Sequence, residues 1–249
     1  DLASLALMGD KKELEDNSLI KKALEYQKKK VVIFTPASSK GIPLSINPLK
    51  LPDKLDHEDL VSIIQQIADS IAGLIGYDLT KDKGKSAQTI LYFLLMHSWK
   101  KGNQIKTFSK LSELVLELPD EVKKEAKAFL NKKLQAELAK KLKFLTVGNK
   151  ELLFQFGVAL DIKLMLKKPQ INIIYLNTLK TSEEKQFFVS MLAASLYQWM
   201  LNNPSDKIQA LFMIDEIAEY IPAGSLKPIS KDILKMLFKQ ARKYGVGCL

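Results

Sequence analysis

The sequence predicts an α/β fold, a parallel sheet flanked by helices, and three observations carry the prediction. Short apolar runs stopped by turn residues recur at 31–36 (VVIFTP), 171–179 (INIIYLNTL) and 210–215 (ALFMID). Helical patterns alternate with these runs over the second half of the chain, and strand alternating with helix favours parallel strands. Residues 55–143, between the first and second runs, show helical periodicity only. The 249 residues suit one large domain or two small ones. They divide into an α/β first part (1–54), an all-helical insertion (55–143) and an α/β second part (144–249).

Each element follows from its residues. Residues 2–27 are mostly helical in pattern. The run 31–36 is β-branched and ends at Pro36, so it reads as a buried strand. KGIPLSINPLKLP (40–52) holds three prolines, which exclude a helix and leave an extended loop. Leu60, Ile64, Ile67, Ile71 and Leu74 recur at steps of three and four, one apolar stripe of a first helix. A second helix, capped by Ser86, carries Ile90, Phe93, Leu94 and Trp99. A third, over 120–143, carries Val122, Phe129, Leu134, Leu138 and Leu142 beneath a solvated Lys/Glu face.

FLTVGNKELLFQFG (144–157) reads as a hairpin around Gly148-Asn149. The run 171–179 is apolar on both faces, as a central parallel strand should be. Ser182 reads as the N-cap of a helix that buries Phe188, Met191, Leu192, Leu196 and Trp199. The strand 210–215, a helix over 231–244 and the start of a further strand at 245–249 complete the chain. Asp1 in place of an initiating Met, and a strand that begins at 245–249, suggest an internal stretch of a longer protein.

The net charge is +10, with 38 Lys+Arg against 28 Asp+Glu. That excess favours a polyanionic partner, most simply nucleic acid. A lysine-solvated surface accounts for it as well, since Arg242 is the only arginine. Cys248 is the only cysteine, which excludes a disulfide framework within the chain and fits a reducing cytoplasm. The most apolar stretch, 187–201, is too short and too polar to span a bilayer. His57 and His97 are isolated, so no His/Cys cluster has metal-ligand spacing.

Chemistry concentrates in LFMIDEIAEYIP (211–222), where four apolar residues run into Asp215 and Glu216. At the carboxyl end of a parallel strand, side chains meet the ligand crevice of an open α/β sheet. A carboxylate there can serve a hydrated Mg²⁺, which prefers one or two carboxylates completed by water and phosphate oxygens. The next carboxylate can orient or deprotonate a water. This is the logic of a Walker B motif. Its partner would be a phosphate loop, G-x-x-x-x-G-K-[ST]. Gly84-Lys85-Ser86 matches only the tail of that motif, because Leu79 stands where the first glycine belongs and no apolar strand precedes it.

LFMIDEIAEYIP followed by LKMLFKQARKYGVGCL resembles the HerA/FtsK-type P-loop ATPases, hexameric DNA pumps of the RecA-like fold. The HerA-like helicase group, with its helical insertion, is the part of that family it most resembles. DLASLAL and the stretch from INIIYLNTL to LYQWM resemble the segments after that family's second strand and before its Walker B strand. The resemblance covers 1–50 and 144–249; the middle matches only as an insertion of similar placement. It implies ATP and Mg²⁺, with Asp215 serving the metal through water and Glu216 polarising the attacking water. It also implies DNA as partner, a homo-oligomeric ring and a phosphate loop upstream of Asp1, so that the sheet here would lack one central strand.

Arg242 would be the cation that senses the transferred phosphoryl group, for which arginine has the planar fork that lysine lacks. A helix C-terminal cation is the plainer account. Lys231, Lys235, Lys239 and Lys243 recur at steps of four and make a basic helix edge that could face DNA or a neighbouring subunit. The rival to the motor is a non-catalytic basic adaptor that binds nucleic acid or protein through its helical region.

Overall fold

The computed structural model describes residues 21, 24–26, 28–49, 57–224 and 227–249. The expected helix over 2–27 lies largely outside the described residues. The architecture is α/β, with parallel strands flanked by helices. Strand β1 (Lys30–Pro36) lies between β2 (Ile42–Ser45) and β4 (Gln170–Ile174), and the short β3 (Val158–Ala159) pairs with the far side of β2. Every pairing is parallel, with Phe34 opposite Ile42, Val31 opposite Ile171 and Leu44 opposite Val158.

Strands β5 (Ala210–Phe212) and β6 (Val246–Cys248) form a separate parallel pair, with Ala210 opposite Val246. The sequence reading makes 31–35, 171–177 and 210–215 parallel neighbours in one sheet, or nearly so; β1 and β4 are such neighbours, whereas β5 pairs with β6 instead. Among the described residues β4 and β5 each keep one ladder edge without a strand beside it. Leu211 of β5 and Met213 just beyond it remain 64% and 50% exposed.

Two segments flanking the helical region differ from the sequence reading. Residues 42–45 form β2 rather than loop, because Ile42, Pro43 and Leu44 lie in register with Phe34, Thr35 and Pro36. A proline forbids helix but not an extended strand. Residues 144–157 form no hairpin: helix α6 (Asn149–Gln155) starts directly after Gly148. It buries Leu153. Gly157 then lets the chain pass the Pro43 carbonyl, where a Cβ would collide, and so brings β3 alongside β2.

Between β2 and α6 the described residues contribute helices alone. Helix α1 (His57–Leu74) buries the expected stripe of Leu60, Ile64, Ile67, Ile71 and Leu74. Helix α2 (Asp82–Lys100) starts four residues ahead of Ser86, so Ser86 lies inside it and is not its cap. Helix α3 (Phe108–Leu116) was not anticipated; Thr107 caps it by accepting from the Lys110 N–H (3.2 Å), and Phe108, Leu111 and Val115 are its buried face.

The expected helix over 120–143 is two helices, α4 (Asp120–Glu125) and α5 (Lys132–Phe144). The Asn131 side chain accepts from the Lys133 N–H (2.8 Å) and so starts α5 afresh, which leaves Phe129 in an exposed turn rather than in the core.

After β3 come the single turn α7 (Ile162–Met165), then α8 (Ser182–Asn202) and α9 (Lys231–Gln240). The cap of α8 is Thr181, whose hydroxyl accepts from the Glu184 N–H (3.2 Å), and Ser182 is the first helical residue. One continuous core joins Phe34 and Leu44 of the sheet to Ile64, Ile90 and Leu138 of the helices and to Phe187 and Phe188 of α8.

One half-buried carboxyl in α1 gives a testable consequence. Burial raises Asp69 above the usual carboxylate range, and the nearby Asp232 adds to this. Hydrogen bonds from Gln65 (2.9 Å) and Gln88 offset it in part. The unfolded chain releases this proton at about pH 4, the folded chain at higher pH. Across that window the folded state binds more protons, so this group's contribution to stability falls as pH rises. Asp69→Asn should therefore gain stability relative to wild type as pH is raised from about 4 to 7. Urea midpoints at the two pH values would show it; a difference independent of pH would contradict it.

Candidate functional site

The chain leaves β5 still extended. The Ile214 N–H donates to the Leu249 carbonyl (3.1 Å) and the Leu249 N–H to the Phe212 carbonyl (3.0 Å), so the ladder with β6 runs past the regular strand. The apolar run ends there because Asp215 and Glu216 follow, and both are exposed. Glu216 adopts the left-handed conformation, φ 53° and ψ 45°. For a non-glycine residue this costs about 1–2 kcal/mol. Asp215 offsets part of that cost, since its Oδ1 accepts the Glu216 N–H at 3.0 Å. A short 3₁₀ turn, Ile217–Glu219, then turns the chain away from the sheet.

Helix α8 and the start of α9 hold this turn. Gln186 Nε2 donates to the Glu219 carbonyl (3.3 Å), and Lys185 Nζ lies 3.9 Å from the Glu219 carboxylate. The buried Ser230 hydroxyl donates to the Tyr220 carbonyl (3.0 Å). Tyr220 is itself buried, which pushes its phenol up to about 12, with the Glu219 and Glu216 charges adding to the shift, so it stays neutral at physiological pH. The two carboxylates thus stand exposed on a turn whose far end is anchored in the core.

Asp215 has one carboxylate oxygen on the Glu216 amide, which leaves the other to accept from water. That suits a Mg²⁺ held through its hydration shell, with phosphate oxygens completing the coordination. Among the described residues no three His, Cys, Asp or Glu side chains cluster as a metal cage.

The other expected site residues do not gather here. Arg242 is exposed on the 3₁₀ turn Ala241–Tyr244, just ahead of β6. Because β5 and β6 run parallel, Arg242 lies at the starting end of the pair and Asp215 at the finishing end. Within one chain the two side chains therefore stand at opposite ends of the strand pair. Lys231 is only 7% exposed and its Nζ donates to the Gly224 carbonyl (3.0 Å), so it ties down the loop and is no part of a basic edge. Lys235 and Lys239 are exposed on α9, and Lys243 is exposed beyond the helix end. Gly84, Lys85 and Ser86 lie within the first turns of α2, with Gly84 packed against the Asp78 carbonyl; they form no phosphate loop.

The residues that hold the turn, Gln186, Tyr220 and Ser230, were missed by sequence reasoning. No spacing rule marks a side chain that bonds a carbonyl 10 or 33 residues away.

The fold and this strand-end carboxylate pair place the chain among α/β proteins with a parallel sheet flanked by helices and an acidic pair at a strand's carboxyl end. No protein-family model matches the chain, and no curated protein matches it. Among solved structures it is similar to VirB4 of Thermoanaerobacter pseudethanolicus, at 16% identity and a TM-score of 0.53, over 94% of this chain and 92% of that one. The plasmid coupling protein TrwB in complex with ADP and Mg²⁺ matches at 12% identity and a TM-score of 0.46, over 92% of this chain and 58% of that one. The likeness to VirB4 is one of fold. Among the described residues no helix is long and apolar enough to cross a membrane.

Proposed function

We propose that this chain belongs to a HerA/FtsK-type P-loop motor ATPase, RecA-like in fold, that moves or unwinds duplex DNA as a cytoplasmic hexameric ring. The observation that carries the reading is the exposed Asp215-Glu216 pair at the carboxyl end of an apolar parallel strand. The VirB4-like fold supports it. In this reading residues 55–143 are the insertion subdomain of the motor.

Glu216 is the water-orienting group. Its carboxylate accepts the proton of the water that attacks the γ-phosphate of ATP. The left-handed turn leaves that carboxylate exposed, and the 3₁₀ turn that follows is anchored through the Glu219 and Tyr220 carbonyls. Asp215 accepts the Glu216 N–H through one oxygen, and its other oxygen would accept from a metal-bound water. Bound there, Mg²⁺ would neutralise charge on the phosphates.

Arg242 acts across a subunit boundary, on the site of a neighbouring copy, because it stands at the opposite end of its own sheet. Arg242→Lys should keep ATP affinity and slow turnover by about 10³-fold, the low end for a trans-acting arginine. Turnover at the wild-type level would return Arg242 to a helix-end cation. Lys235, Lys239 and Lys243 offer charge to a phosphate backbone or to that neighbour.

Phosphate release by the full-length protein, with and without Mg²⁺ and with and without duplex DNA, tests the reading. Mg²⁺-dependent release stimulated by duplex is expected. DNA binding without any release would favour the basic adaptor.

A further inference from the structure

Gly73 stands in the last turn of α1, a helical position where alanine is the better former. Its neighbour explains the choice: a Cβ at 73 would collide with Ile229 Cγ2. Ile229 leads directly into Ser230, which is fully buried and donates to the Tyr220 carbonyl. Tyr220 closes the 3₁₀ turn on which Glu216 stands. A third element meets the same point. The buried Ser190 hydroxyl of α8 lies 3.4 Å from Ser70 Oγ of α1 and 3.5 Å from the Ile229 carbonyl. Helix α1, helix α8 and the Ile229-Ser230 step therefore share one buried junction.

We propose that Gly73 and Ser230 are positioning residues for Glu216. Helix α1, seated without a side chain against Ile229, sets the depth of Ser230. Ser230, through the Tyr220 carbonyl, fixes the turn that aims the Glu216 carboxylate. Neither residue touches substrate. The proposal deepens the reading of Glu216 as the water-orienting group and rests on it for its kinetic consequence. Its structural half, the link from α1 to the turn, stands on the junction alone. A shift of α1 relative to α8 would then reach the carboxylate pair through close-packed, hydrogen-bonded atoms.

The test uses the full-length protein and two readouts, amide exchange over 216–221 and the kcat and KM for ATP. Gly73→Ala improves the helix former and introduces only the collision. It should speed exchange over 216–221 and lower kcat by about 10- to 100-fold, the scale of an ångström's misplacement. KM should stay within about twofold of wild type, because uniform binding is untouched. Gly73→Ala combined with Ile229→Ala removes Cγ2 and should restore both exchange and kcat. Ser62→Gly weakens α1 at an exposed position remote from Ile229 and should leave exchange over 216–221 unchanged. Unchanged exchange in Gly73→Ala, failure of the double variant to recover, or the same effect from Ser62→Gly would overturn the proposal. If the wild type releases no phosphate, the site reading fails while the exchange measurement still decides the link.

Discussion

In the full-length protein Glu216→Gln is expected to bind MgATP as the wild type does and to hydrolyse it about 10²–10⁴-fold more slowly, the usual contribution of a general base or water-orienting group. Glutamine keeps the shape and can still hold a water, but it cannot accept the proton. The backbone should not notice the change. The left-handed turn is held by the Asp215 carboxylate on the main-chain N–H and by Gln186 and Ser230 on main-chain carbonyls, none of which involves the Glu216 side chain. A loss of turnover with retained binding thus reads the carboxylate alone. Wild-type turnover would reduce the pair to an exposed strand end.

The second large effect concerns the core. Phe187 of α8 is fully buried, and its ring meets Phe154 edge-on at 5.9 Å; Phe154 in turn meets Phe108 at 4.6 Å. This row of rings joins α8 to α6 and α3, the sheet-side helix to the helical region. Phe187→Ala should cost about 3–5 kcal/mol, from lost burial and from a cavity that three helices cannot all close around. That is a large share of the roughly 5–15 kcal/mol by which a domain is stable. Phe129→Ala, at the exposed turn between α4 and α5, should change stability far less. Urea unfolding of the two variants measures both; a loss below about 1 kcal/mol for Phe187→Ala would mean the row is not part of a tight core.

Local signals carried much of this structure. The stripe in α1 and the β-branched run of β1 could be read directly, because period and composition act within a few residues. The acidic pair after β5 was legible for the same reason. What could not be read depends on distant partners. Pro43 looked like loop until Thr35 stood opposite it. Gly148-Asn149 signals a hairpin turn or a helix start equally well, and packing of Leu153 selects the helix. The pairing of β5 with β6 rather than β4 is a matter of strand order, which no run of residues encodes locally. Lys231 matched a four-residue basic periodicity, yet a carbonyl seven residues earlier turns it inward.

The split of the strands into two parallel sets bears on the site as well. Leu211 and Met213, close to Asp215 in the chain, stay 64% and 50% exposed. The carboxylate pair therefore stands exposed beside a partly uncovered strand end.

Whether Glu216 carries the hydrolytic step can be read from the nucleotide left on Glu216→Gln protein after a chase. Full-length wild type and variant are loaded with MgATP, passed over a sizing column and held for several wild-type turnovers, and the bound nucleotide is then resolved as ATP or ADP. ADP is expected on the wild type and ATP on the variant. ADP on both at equal times would contradict it.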